Sequence, residues 1–153
     1  MGRTTKQLLA VALLFGTAAI AMAGAGAQPD VNVSKDGVAI EGYDAISYIS
    51  EGRPLQGSTR FETRWNGAVW RFTSAAHRDT FLADPARYAP QFGGYCAYAV
   101  SQGHTANGDP LVWKVVDGRL YLNYSTSVQR TWEKDVPGYI AEARANWPGV
   151  LNR

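Results

Sequence analysis

The chain reads as an α+β domain: a small antiparallel sheet built from two hairpins, with several short helices packed on it. Three observations predict this. Asn66-Gly67 and Asp117-Gly118 each divide runs of alternating apolar and polar residues, the strongest short-range hairpin signal because both turn residues take positive φ. Ser74 and Ser125 each precede a short amphipathic stretch and read as helix N-caps. Apolar residues then recur at helical spacing near the C-terminus.

The elements follow in chain order. Residues 1–27 have the layout of a cleavable secretory signal: basic Arg3 and Lys6, an apolar run from Leu8 to Ile20, then small residues. The run is shorter than the roughly 20 residues that span a bilayer. Ala25-Gly26-Ala27 predicts cleavage before Gln28, with Ala21-Met22-Ala23 as a second place, and hence a periplasmic or secreted protein. Residues 28–153 then form a single domain.

Within it, "VNV" suggests a short strand, and "DAISYISEG" a helix capped by Asp44 and stopped at Gly52. "TRFETRW" and "AVWRFT" make the first hairpin; "AAHRDTFLAD" is the helix capped by Ser74, with His77 and Phe81 on one face. Pro90 and Gly93-Gly94 break the chain before "CAYAV", a short helix or strand, and "HTANGDP" is a loop. "LVWKVV" and "RLYLNY" make the second hairpin. Ser125 caps a helix through Val128 and Trp132, and a last helix after Pro137-Gly138 carries Ile140, Ala143 and Trp147. No internal repeat or low-complexity segment is apparent.

Charge narrows the function. The chain has 15 Lys+Arg against 13 Asp+Glu, a net +2, but Arg3 and Lys6 are the only charges in residues 1–27. The mature chain is therefore neutral, without a basic stripe for nucleic acid or an anionic membrane. Five Trp, eight Tyr and five Phe supply the core. One cysteine, Cys96 in "QFGGYCAYAV", permits no internal disulfide.

The order of Gly42-Tyr43-Asp44, the Gly67 turn, Trp70-x-Phe72 running into Ser74, Phe81, and Asp84-Pro85 leading to Tyr88 resembles the YHS domain. "YAPQFGGYCA", "DGRLYLNY" and "NWP" are similar to the small exported bacterial members. The resemblance implies a binding or accessory module rather than an enzyme. Where members of that family are thought to hold metal, cysteines stand at places matching Ser47, Thr73 and His77 here.

Three roles compete for the polar residues. A thiolate and two imidazoles from Cys96, His77 and His104 suit copper or zinc, the leading choice of ligand, although no paired-ligand spacing supports them. A buried, purely structural Cys96 explains how a thiol survives export, leaving a metal-free protein-interaction or small-ligand module that uses Tyr95, Tyr98, Tyr121 and Tyr124. A Cys-His pair oriented by Asp44 or Asp109 would be nucleophilic, yet no strand-to-helix elbow surrounds Cys96. No catalytic residue is therefore assigned.

Overall fold

A computed structural model describes residues 28–153, so the expected signal segment lies outside the described residues. The fold is α+β, as expected. After a 3-10 turn at Ile40–Gly42 come α1 (Ser47–Ser50), β1 (Ser58–Trp65), β2 (Ala68–Phe72), α2 (Ala75–Ala83) and α3 (Pro85–Tyr88). A second 3-10 turn at Gln91–Gly94 leads to α4 (Ala97–Ser101), β3 (Asp109–Val116), β4 (Arg119–Asn123), α5 (Thr126–Trp132) and α6 (Val136–Asn146). A last 3-10 turn, Gly149–Asn152, closes the chain.

The two hairpins form separate two-stranded sheets rather than one. Their inner edges are already occupied. Val38 bridges Val69 on the free side of β2, and Cys96 bridges Leu122 on the free side of β4. Each hairpin is thus paired with its own lead-in segment, which blunts the edge a neighbouring strand would need.

Contrary to the sequence reading, the chain contains an internal repeat. From the hairpins onward the first half maps onto the second element by element, Ser58 to Asp109, Ala68 to Arg119, Ala75 to Thr126 and Pro85 to Val136, a step of 51 residues; in the turns before the hairpins, where Tyr43 matches Tyr95, the step is 52. Local geometry repeats as well. Ser74 and Ser125 cap α2 and α5 at φ −153° and −155°, and Asp84 and Asp135 follow at φ −155° and −154°. Gly42 and Gly94 take φ +83° and +80°. Both hairpins skip register at the same place, between Ser58 and Glu62 and between Asp109 and Trp113. The residues kept between halves are mostly those that turns and caps demand, whereas buried positions change identity and in places polarity, as where Asn123 stands for Phe72. That is why residue identities conceal the repeat.

Three further boundaries differ from expectation. "VNV" contributes only an isolated bridge, Val33 to Ala39. The expected helix at "DAISYISEG" shrinks to one turn, α1. Pro137 and Gly138 lie inside the first turn of α6 rather than before it, because the Asp135 side chain accepts from the Gly138 N–H at 3.1 Å and starts the helix earlier.

Two apolar clusters meet at β4. Leu120 and Leu122 face the cluster holding Trp70, Phe72, Phe81 and Tyr48, while Tyr121 faces the one holding Val100, Trp132 and Ala143. This is the period-2 alternation of a strand buried on both faces. The lead-in crosses the second half, tied by Gln28 N–H to the Leu151 carbonyl at 2.7 Å and Asn32 N–H to that of Gly93 at 2.8 Å.

Candidate functional site

The polar centre of the first half is Asp44, fully buried in the turn before α1. Its main chain is held by Leu55, whose carbonyl accepts the Asp44 N–H at 2.8 Å. Oδ1 accepts from the Ile46 N–H at 2.9 Å, the local cap that the sequence suggests. Oδ2 reaches further. It accepts from the Thr73 N–H at 2.9 Å, the Thr73 hydroxyl at 2.8 Å and His77 Nδ1 at 2.6 Å. Four donors on one carboxylate offset the desolvation that an unpaired buried charge could not withstand.

Thr73 directly follows β2 and His77 sits in the first turn of α2, where Ser74 Oγ accepts its N–H at 3.1 Å. The Ser74 cap therefore sets the start of α2, and with it the His77 ring over Asp44. With Nδ1–H turned inward, a neutral ring carries its lone pair at Nε2. Nε2 has no partner among the described residues and is not among their buried unpaired atoms, so it is open at the surface. No thiol or hydroxyl bonds to it, and the pair lacks the nucleophile that a relay would activate.

The second half builds the same corner from other residues. Cys96 occupies the place of Asp44, Asn123 that of Phe72 and Val128 that of His77. Cys96 is 1% exposed, and its thiol donates to Asn123 Oδ1 at 3.5 Å. The same oxygen accepts the Tyr98 N–H at 3.2 Å, the role Asp44 Oδ1 plays toward Ile46. The cap has moved from the turn residue to the strand residue, and the cysteine is sealed beneath it.

The expected three-ligand set does not assemble. Cys96 is buried beside Asn123, His77 is committed to Asp44, and His104 is exposed in the loop after α4. Among the described residues no group of three or more His, Cys, Asp or Glu side chains could hold a metal ion. The family-matched hydroxyls do not fit either. Ser47 Oγ donates to the Asp44 carbonyl at 2.8 Å and Thr73 to its carboxylate, and both are hard donors for a soft metal. Asp109, weighed as an orienter, accepts from Leu111 N–H at 2.8 Å. The tyrosines share no surface: Tyr95 and Tyr121 are buried, Tyr98 packs edge-on against Tyr139, and only Tyr124 stands out at 60% exposure.

What the sequence reading missed is a cleft of about 460 Å³ at the seam of the two halves. The tip of the first hairpin gives one wall, with Trp65, and the end of α6 gives the other, with Arg144 and Trp147. Phe92 and Gly93 lie between them, and Asp30 comes from the lead-in. Gly93 is required there. A Cβ would collide with the Asp30 carbonyl and press on the Trp147 ring, and φ is +62°. Burial, and secondarily the Asp30 charge, pushes the nearby Tyr95 phenol up; its hydroxyl donates to the Pro29 carbonyl at 2.9 Å. The signal for this cleft is Trp147 of "NWP", expected on the apolar face of the last helix but found at the C-cap of α6, where it lines the cleft.

Comparison of the chain with protein-family models, curated proteins and solved structures finds no match.

Proposed function

We propose that this is an exported, YHS-like accessory module that binds a small molecule in the seam cleft, without catalysis and with Cys96 in a purely structural role. The observation that carries this reading is the cleft itself. About 460 Å³ of concave space, walled by aromatic rings with a few convergent polar groups, falls within the roughly 300–1,000 Å³ of small-ligand sites. A sealed thiol and a histidine without a reacting partner favour binding over chemistry. The metal reading loses its anchor, because a thiolate ligand would have to be exposed from beneath Asn123.

Tryptophan fluorescence tests it. A panel of small aromatic and zwitterionic compounds, titrated into the full chain, is expected to yield at least one saturable change. Trp147→Ala should abolish that change and Cys96→Ala should leave it. A panel without any saturable response, or one that Trp147→Ala does not alter, overturns the proposal. Export is checked separately, by fractionating cells and reading the N-terminus of the mature protein, expected at Gln28.

A further inference from the structure

We infer that the seam cleft selects a small zwitterion whose cationic end is a methylated ammonium group and whose other end is a carboxylate. The inference rests on the cleft being the binding site, as proposed above, and adds the ligand class. It starts from two charges. Asp30 and Arg144 both line the cleft and both are exposed. Neither makes an ion pair with any described residue, nor with the other. The surface ion pairs that do form, Arg71 with Glu62, Arg78 with Asp79 and Lys114 with Glu133, involve no residue of the cleft, so Asp30 and Arg144 are its only charged residues. The cleft therefore offers one anionic and one cationic side chain that are not paired with each other.

A simple anion is attracted by Arg144 and opposed by Asp30, and a simple cation meets the reverse. A molecule carrying both charges satisfies both points at once. Arg144 presents a fork of N–H donors that matches a carboxylate bidentately. The rings decide the other end. Trp65 and Trp147 are half-buried, so each keeps ring surface toward the cleft. An indole face attracts a cation best of all aromatic faces, and does so without a hydrogen-bond acceptor. An unmethylated ammonium would need three acceptors, whereas a methylated one is satisfied by two ring faces and one carboxylate.

The test uses the full chain and three probes of similar size: glycine betaine, choline, which lacks the carboxylate, and 3,3-dimethylbutyrate, which lacks the cation. Calorimetric titration is expected to show betaine binding about tenfold or more tighter than either single-charge probe. Arg144→Gln should weaken betaine and dimethylbutyrate and leave choline unchanged. Asp30→Asn should weaken betaine and choline and leave dimethylbutyrate unchanged. Both positions are exposed, so the variants are expected to fold, with circular dichroism as the check. Equal affinity for the three probes, or betaine binding indifferent to both substitutions, overturns the zwitterion assignment. If betaine fails while a neutral indole still quenches the cleft tryptophans in a Trp147-dependent way, the ligand class is wrong and the binding site stands. If no probe of any class binds, both fall.

Discussion

His77 Nδ1 stands 2.6 Å from Asp44 Oδ2, although 33 residues separate the two in the chain. That contact joins the turn before α1 to the first turn of α2, and Thr73, just after β2, completes the junction through the same oxygen. The corresponding corner of the second half has a cysteine, an asparagine and a valine. One architecture thus holds its corner by a charge-assisted network in one copy and by a sealed, nearly neutral contact in the other.

The network assigns unequal weights to its members. Asp44→Ala removes the acceptor of four hydrogen bonds and strands donors inside the fold, and it should cost about 3–5 kcal/mol, since each buried donor left unpaired costs about 1–3 kcal/mol. His77→Ala leaves the carboxylate with three donors, one of them the Thr73 hydroxyl, and should cost about 1–2 kcal/mol. Urea denaturation of the two variants measures the difference. Equal losses would mean that the imidazole, and not the main-chain and hydroxyl donors, compensates the buried carboxylate.

Cys96 tests the other corner. At 1% exposure beneath Asn123, the thiol should react with an aromatic disulfide reagent at least about a hundredfold more slowly in the native protein than in urea, because labelling awaits an opening event. Cys96→Ala should cost about 1–3 kcal/mol. Rapid stoichiometric labelling of the folded chain would contradict both the buried setting and the structural role.

How far these features could be read from residues alone depends on how local their causes are. The hairpin turns at Asn66-Gly67 and Asp117-Gly118 and the caps at Ser74 and Ser125 were legible, because each is decided by a few adjacent residues. Asp44 was legible only as a cap. Its second oxygen serves Thr73 and His77 across a distance in sequence that no spacing rule covers. The His77, Cys96 and His104 grouping failed for the same reason in reverse: spacing did not forbid convergence, and the fold kept them apart. The seam cleft needed three remote segments, at Asp30, Trp65 and Trp147, to meet. The repeat escaped because equivalent corners are satisfied by different chemistry, the Asp44 corner by its own carboxylate and the Cys96 corner by the side-chain amide oxygen of Asn123.

The repeat makes its own prediction at two glycines 51 residues apart, Gly57 and Gly108, each immediately before its hairpin. A Cβ at Gly57 would strike the Arg71 main chain, and one at Gly108 the Gly94 carbonyl and the Leu122 side chain. Backbone cannot yield as a flexible side chain does. Gly57→Ala and Gly108→Ala should therefore each destabilise by about 2 kcal/mol or more, beyond the usual overpacking cost of about 1–3 kcal/mol at its lower end. Gly149→Ala, where a Cβ meets open space, is the control and should stay within about 0.5 kcal/mol of the parent. Thermal unfolding of the three variants decides the matter; a tolerated alanine at either crowded position would show that the halves are packed less alike than their geometry indicates.

Alkaline stability reports the joint between the halves. Tyr48, from α1, lies edge-on against Trp113 of β3, and its hydroxyl donates to the Pro110 carbonyl at 2.8 Å. Burial first, then the charges of Tyr43, Asp109, Asp44 and Glu41, pushes the phenol well above its ordinary 10.0. The folded-state value exceeds the unfolded one, so the stabilisation is complete below pH about 10 and declines as pH rises from there toward the folded value. Between those limits this one group should steepen the fall in stability by about 1.4 kcal/mol per pH unit. Tyr48→Phe removes the hydroxyl and its hydrogen bond, costing about 1 kcal/mol at pH 8, but it also removes that slope. Urea midpoints taken from pH 8 to 11.5 should then converge, the variant losing stability less steeply than the parent and overtaking it if folding persists that far. Parallel curves would mean that the Tyr48 hydroxyl ionises as readily in the folded chain as in the unfolded one, and that the contact with Pro110 does not seal the joint against base.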